Sequence, residues 1–506
     1  MRALIRPRVF SGTLQVPASK SHTIRRLIMA ALTKGSSRIE EPLDALDTRS
    51  CAAACRVLGA DLAEDRDSNG RLRGWVVQGP SGTDRAAADL CIDAGNSGTT
   101  LFLALAAASL ASGPVTFTGD MQIARRSAGP LLDALAGLGV SVKSNGGPGG
   151  DRGYIPITVR GPWKGGRVSV SCPTSQYLSA LLIAAPLAPA GTVTEIGVPL
   201  LNEKPYVDMT LEYLKTQGLF TGLPSGDSEN PAAFPAAGAA AGGSAAVTST
   251  AATPAAVVMA ADYSYFRVSG GHAYRPMNGP VPGDFSSAAF PAAAAAISGG
   301  TLTLAGLDPA DTQGDKVFFE YLARMGCAVR WEKTADPDDA GNGPRSVTVS
   351  RRGPLRGGVF DLNAAPDLLP VMAALAAHAE GETALTNVAH ARIKETDRIA
   401  VMAAELGKLG VICREEPAGL VIRGKPGLDP VENASPVSNP GGPRENAVIR
   451  LDGRGDHRVV MALACAALGS VPGNAPGFAG VEIAGPEAAD VTYPGFLELL
   501  GARYYT

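Results

Sequence analysis

One alternation of apolar and polar positions recurs along the chain. A short β-rich stretch leads into a few small polar residues. An apolar run of about a dozen residues follows, then a glycine break and another β-rich stretch. The copies read GTLQVPASKSHTIRRLIMAALTKGSSRIE, ADLCIDAGNSGTTLFLALAAASLASGPVTFTG, GRVSVSCPTSQYLSALLIAAPLAPAGTVTEIG, YRPMNGPVPGDFSSAAFPAAAAAISGGTLTLAGL, GGVFDLNAAPDLLPVMAALAAHAEGETALTNV and AVIRLDGRGDHRVVMALACAALGSV, the last ending near GVEIAG. Amphipathic helices lie between them: SAGPLLDALAGLG, MTLEYLKTQG, KVFFEYLARMG and DRIAVMAAELGKLG. In the last, Ile399, Met402, Ala403, Leu406 and Leu409 share one face. Each closes on a glycine, which can take the left-handed conformation that ends a helix.

The pattern predicts six βαβαβ-type units, and symmetry suggests two groups of three. Successive copies start about 80 residues apart, except for a wider third gap. That gap holds a stretch, 224–258, made almost wholly of Ala, Gly, Ser, Thr and Pro. Such a segment buries too little apolar surface to offset its ordering entropy, so a mobile surface insertion is expected there. A smaller Pro/Gly/Asn-rich insertion is expected over 429–446.

Composition narrows the class. Of 506 residues, 45% are hydrophobic, so the chain is globular and long enough for two or three domains. Aromatics are only 5%, so the core is built from small side chains. The net charge is −3 with no basic run, which argues against nucleic acid and anionic membrane as partners. The longest apolar runs fall short of the roughly 20 residues of a membrane span. MRALIRPRVF lacks the apolar core of a signal peptide. The seven cysteines are scattered and read as buried thiols rather than a metal site. A cytoplasmic protein without metal or cofactor is expected.

Charge changes the picture at one kind of place. RIKETDRIA, residues 392–400, holds five charges just where a helix begins. Acids belong at that positive pole; Arg392, Lys394 and Arg398 do not. Other helix starts repeat the anomaly, with Lys20, Ser21 and Arg25 in the first copy, Arg125 and Arg126 before SAGPLLDALAGLG, and His457 and Arg458 in the sixth. Further starts carry neutral donors: Asn96, Ser97, Thr99 and Thr100, and Thr174, Ser175 and Gln176. Taken singly, the hydroxyls read as helix caps and a lone arginine as solvated. Taken together, they suit an anion held among helix N-termini.

The motifs SKSHTIRR, GNSGTT, TSQYLSALL, EKPYVDMTLEYL, GDFSSAAF, QGD, RIKETDRI and GDHRVVMA stand in the order seen in 5-enolpyruvylshikimate-3-phosphate synthases. The resemblance covers nearly the whole chain outside the two insertions. It implies an α/β (α+β) clamshell of two domains, each of three βαβαββ units, with helix N-termini facing the cleft between them. Residues 1–18 and 283–506 would form one discontinuous domain and 19–282 the other. The implied activity is transfer of the enolpyruvyl group of phosphoenolpyruvate to the 5-hydroxyl of shikimate-3-phosphate, by a monomer.

The resemblance also implies roles. Lys20, Ser21, Arg25, Thr174, Ser175, Gln176, Tyr206, Asp315 and Lys394 resemble the shikimate-3-phosphate site. Lys20, Gly98, Arg126, Gln176, Arg398 and Arg458 resemble the phosphoenolpyruvate site. Asp315 and Glu395, with Lys20, resemble the proton-transfer groups. Four positions depart from the family pattern: Phe102 and Val491 replace cations, His390 replaces Asn, and Glu203 replaces Ser. A carboxylate near a phosphate site is repulsive, so Glu203 is expected to point away or to be protonated. Two other readings stay open. One is a ligand-binding protein without turnover. The other is the sister transferase acting on UDP-N-acetylglucosamine, which has Lys-Asn where this chain has Lys20-Ser21, and a reactive Cys absent from GDMQIARRSAG.

Overall fold

The computed structural model describes residues 1–80, 90–146, 152–221, 255–332, 345–425, 447–469 and 478–505. Six four-stranded sheets, one for each repeat, stand beside a two-stranded ladder among them. The second repeat shows the plan. Leu90–Asp93 runs parallel to Val115–Thr118, which is antiparallel to Arg152–Arg160; that strand is in turn antiparallel to Ser141–Gly146. A parallel pair needs a long crossover, and helix Gly98–Ala108 supplies it. A second helix, Gly129–Gly137, leads into the hairpin.

The helix ends fall where the glycines predict. Gly139, Gly218, Gly326 and Gly410 follow the second helices of four repeats, with φ of 89°, 74°, 99° and 80°. In helix Arg398–Lys408, Ile399, Met402 and Leu406 are buried, as is Leu409 just beyond it, and Ala403 packs at the margin.

Apolar side chains gather into two cores. One draws on residues 24 to 281, the other on residues 3 to 16 together with 285 to 500. Each is centred on three crossover helices. Gly98–Ala108 packs on Lys20–Ala31 and on Gln176–Ala184, while Phe285–Ser298, Leu369–Ala377 and His457–Leu468 pack on one another. Every residue of Gly98–Ala108, Leu369–Ala377 and His457–Leu468 is buried. That explains why they are apolar all round beyond their first turns, since a helix surrounded by protein has no polar face. Their alanines favour the helix and let neighbouring axes approach.

Strands are exchanged between two of the repeats, and one sequence expectation needs correction. The strand opening the first copy, Gly12–Gln15, does not pair within that copy. It lies parallel to Thr301–Leu307 of the fourth, while Asn278–Pro280 from the fourth lies parallel to Ser36–Glu40 of the first. The chain thus changes core between each opening strand and the helix after it. The expected insertion at 224–258 lies outside the described residues as far as 254, but Val257–Met259 form a strand antiparallel to Tyr265–Ser269. Val257 and Met259 are buried there, so alternating burial overrides the low-complexity composition. The expected insertion at 429–446 lies outside the described residues.

Where the chain changes core, its two passes touch. Ala18 and Gly283 form an antiparallel bridge, Ser19 N donates to Pro282 O at 2.7 Å and Asp284 N to Pro17 O at 2.9 Å. A Cβ on Gly283 would sit 2.3 Å from Gly306 O, so only glycine fits. Among the described residues no helix is long and apolar enough to cross a membrane.

Candidate active site

Helix N-termini from both cores meet at one place, and their caps fix the side chains that follow. Ser97 accepts from Thr100 N at 3.2 Å. Asp284 accepts from Ser286 N at 2.9 Å, and Asp456 from Arg458 N at 3.0 Å. Satisfying these free amides holds the first turns in place. Between them lies a cavity of about 40 Å³. Lys20, Ser21, Arg25, Gly98, Arg126, Ser175, Gln176, Tyr206, Lys394 and Glu395 line it, all named by the sequence. Asp315, Arg398 and Arg458 stand buried behind that lining, and Thr174 lines an adjoining cavity. Gly98 makes room for its neighbour, because a Cβ there would strike the Arg126 guanidinium at 2.4 Å.

The cations are closely matched by carboxylates. Lys20 Nζ is 3.1 Å from Asp47, and Arg126 is 3.5 Å from Glu395. Arg398 reaches Glu395 at 2.5 Å, Asp367 at 2.7 Å and Asp456 at 2.8 Å. Arg458 reaches Asp367 at 2.9 Å. Lys394 pairs with Glu203 and lies 3.9 Å from Asp367. Arg25 is different. Its hydrogen bonds go to Thr210 Oγ1, Ser21 O, Ser179 Oγ and Tyr206 O, all neutral. Burial pushes its pKa down to about 10. A buried guanidinium without a bonded carboxylate costs several kcal/mol, roughly, until an anion arrives.

The carboxyls divide into two kinds. Burial alone would raise Glu395, but the charges of Arg398, Arg126 and Lys20 outweigh it and hold the group well below the usual range. Asp367 is likewise drawn down against burial by Arg458, Lys394, Arg398 and Lys20. Asp315 goes the other way. Burial and the neighbouring Asp367 raise its pKa to about 7, against the pull of Arg458. It accepts a hydrogen bond from Ser286 Oγ, and its other oxygen has no partner. His457 lies fully buried with both ring nitrogens unpartnered. Burial and Lys20 keep it neutral.

The sequence missed Asp47, Asp367, Ser286 and His457 as members of this cluster. An isolated acid near a helix start looks like a dipole-complementing residue, so only DHR carried a visible signal, for His457. Glu203 corrects an expectation. It neither points away nor is protonated: it is buried and turned into the site. Burial would raise its carboxyl, yet Lys394 and His390 bring it below the usual range. Arg392 gains an account as well. It reaches Asp397 at 2.7 Å, Glu415 at 3.2 Å and Glu416 O at 2.8 Å, clamping the loop to the hairpin behind it. Phe102 packs edge-on to Tyr177, centroids 5.0 Å apart, with the Arg126 guanidinium 5.7 Å from its ring centre. Val491 is buried in a 3₁₀ turn, Pro486–Val491. Among the described residues no group of three or more His, Cys, Asp or Glu is placed to hold a metal ion.

Known proteins resemble this chain in sequence and in fold. The family profile of EPSP synthase (3-phosphoshikimate 1-carboxyvinyltransferase) matches residues 6–221 and 252–500. A 3-phosphoshikimate 1-carboxyvinyltransferase of Acetivibrio thermocellus is 40% identical over 490 residues, covering 97% of this chain and 95% of that one. One from Halobacterium salinarum is 37% identical over 506 residues, covering 99% and 98%. The solved EPSP synthase of Acinetobacter baumannii superposes with a TM-score of 0.68 at 23% identity, covering 99% of this chain and 97% of that one, a likeness of fold. With the matched profile and two full-length relatives above one-third identity, the chain belongs to the EPSP synthase family, the 3-phosphoshikimate 1-carboxyvinyltransferases.

Proposed function

We propose that this protein transfers the enolpyruvyl group of phosphoenolpyruvate to the 5-hydroxyl of shikimate-3-phosphate and releases phosphate. The observation that carries the reading is a pair of buried carboxyls with opposite proton affinities, Asp315 and Glu395, set about one cavity rich in cations. Two carboxyls of unlike proton affinity can each exchange a proton with the substrates once bound anions have reset the charges around them.

Lys20, Ser21, Arg25, Thr174, Ser175, Gln176, Tyr206 and Lys394 hold shikimate-3-phosphate in this reading. Lys20, Gly98, Arg126, Gln176, Arg398 and Arg458 hold phosphoenolpyruvate. Asp315 takes the proton of the 5-hydroxyl as its oxygen bonds to C2 of phosphoenolpyruvate, and Glu395, with Lys20, supplies a proton to C3. The tetrahedral adduct then returns a C3 proton to Glu395 while the C2–O bond to phosphate breaks. Glu395 begins as a carboxylate because Arg398 and Arg126 hold it so. Anionic substrates bound to those cations weaken that hold and let Glu395 carry a proton.

The same reading sets the domain boundaries at 18/19 and 282/283, supported by the two cores and the paired passes at Ala18 and Gly283. It also takes the protein to work as a cytoplasmic monomer. Phosphate release from shikimate-3-phosphate plus phosphoenolpyruvate tests the function, with UDP-N-acetylglucosamine as the alternative acceptor. Release with the first acceptor alone is expected. A folded protein that releases none with either acceptor sinks the reading, leaving ligand binding without turnover; release only with the second moves it to the sister transferase.

A further inference from the structure

Glu203 stands just before helix Lys204–Thr216, with a left-handed backbone at φ 57°. Its carboxylate lines the cavity and is bound by four donors. Oε2 accepts from Thr174 Oγ1 at 3.0 Å, Ser175 N at 3.1 Å and Ser175 Oγ at 3.1 Å. Oε1 accepts from the Lys394 ammonium. Two hydroxyls, a backbone amide at the start of a helix and one ammonium form the donor set that a phosphate takes at a helix N-terminus. Two anions cannot share these donors, because each would be buried against the other.

We propose that Glu203 is an internal ligand of the acceptor-phosphate subsite, a carboxylate that substrate phosphate must displace before it can bind. The inference rests on the reading of Thr174, Ser175 and Lys394 as phosphate donors given above. Three further observations support it. The contact joins the two cores: Lys394 leads into a helix whose apolar face lies in one, and Glu203 leads into a helix packed in the other. The backbone there is anchored independently of the side chain, by Glu203 N donating to Asn363 O at 3.2 Å. The adjoining cavity, about 390 Å³ and lined by Thr174, His390 and Lys394, offers the displaced side chain a place to go. Glu203 then excludes weak anions from the subsite. A ligand anchored by its ring as well as its phosphate can compete for the donors.

The test measures binding of inorganic phosphate by calorimetry, and KM for each substrate, in the wild type, Glu203→Gln and Glu203→Ser. Both variants are expected to bind inorganic phosphate at least tenfold more tightly. KM for shikimate-3-phosphate should fall at least tenfold, and KM for phosphoenolpyruvate should not follow it. Folded variants with unchanged or weaker phosphate binding overturn the proposal. If neither variant folds, wild-type crystals soaked in inorganic phosphate decide the matter. Phosphate on Thr174, Ser175 and Lys394 with Glu203 swung away supports displacement; phosphate beside an unmoved Glu203, or none bound at that subsite, overturns it. Failure of the wider reading shows separately, as absence of turnover in the wild type, while the phosphate-binding arm still reports on Glu203.

Discussion

Asp315 and Glu395 differ in what surrounds them rather than in what they are. Asp315 has burial and a second acid for company, so its carboxyl holds its proton up to about pH 7. As the base for the 5-hydroxyl it must be deprotonated. The kcat/KM for shikimate-3-phosphate should therefore rise tenfold per pH unit below 7 and level off above it. Asp315→Asn should abolish that limb and cut turnover ~100- to 10,000-fold. A pH profile without a limb near 7 in the wild type removes Asp315 from this role. Glu395→Gln should lower turnover ~100-fold or more while changing the Kd for shikimate-3-phosphate far less, as single-turnover kinetics and calorimetry would read. At this scale the sequence located the cations, because they recur at four helix starts. It did not locate Asp47, Asp367 or the orientation of Glu203, since an acid reveals its partner only when the chain is folded. Arg392 likewise had no assignable role until Glu415 and Glu416, one hairpin away, came into contact with it.

Among the elements, helix His457–Leu468 begins on a residue with two duties. Asp456 accepts the Arg458 amide as a cap, and it bonds the wholly buried Arg398 at 2.8 Å and 3.2 Å. Asp456→Ala removes the cap and leaves a buried guanidinium one carboxylate short. Urea unfolding should show a loss of about 3–5 kcal/mol. Asp456→Asn keeps an oxygen at the cap and should lose less. Equal losses for the two would reduce Asp456 to a charge alone. The six units, their helices and glycine stops were legible because period and punctuation are local. The partners of Gly12–Gln15 and Asn278–Pro280 were not legible from period alone. Both strands adjoin a helix of their own repeat in sequence, and only the family resemblance grouped 1–18 with 283–506.

At the scale of the whole molecule, the cavity is closed over by bonds between the cores: Arg126 to Glu395, Lys394 to Glu203, and His22 Nε2 to Asp311 at 3.2 Å. These pairs are largely buried, so salt screens them less than it would surface pairs. The strand Arg2–Ile5 adds a constraint of another kind. It is sandwiched between Phe478–Ala484 and Arg503–Tyr505, so residues 2–5 wait for residues 478–505. The core built from residues 24 to 281 needs nothing beyond its own stretch, and it can assemble while the remainder is still being synthesised. The other must close a loop of nearly the full chain, the slowest class of contact to form. Pulsed hydrogen exchange during refolding should accordingly protect amides of Leu101 to Ala108 before those of Ala3 and Ile5. Simultaneous protection would mean that the two cores fold as one unit. Until residues 478–505 have been made, then, Arg2–Ile5 is an unpaired strand with a partly apolar face, a template open to pairing with another chain.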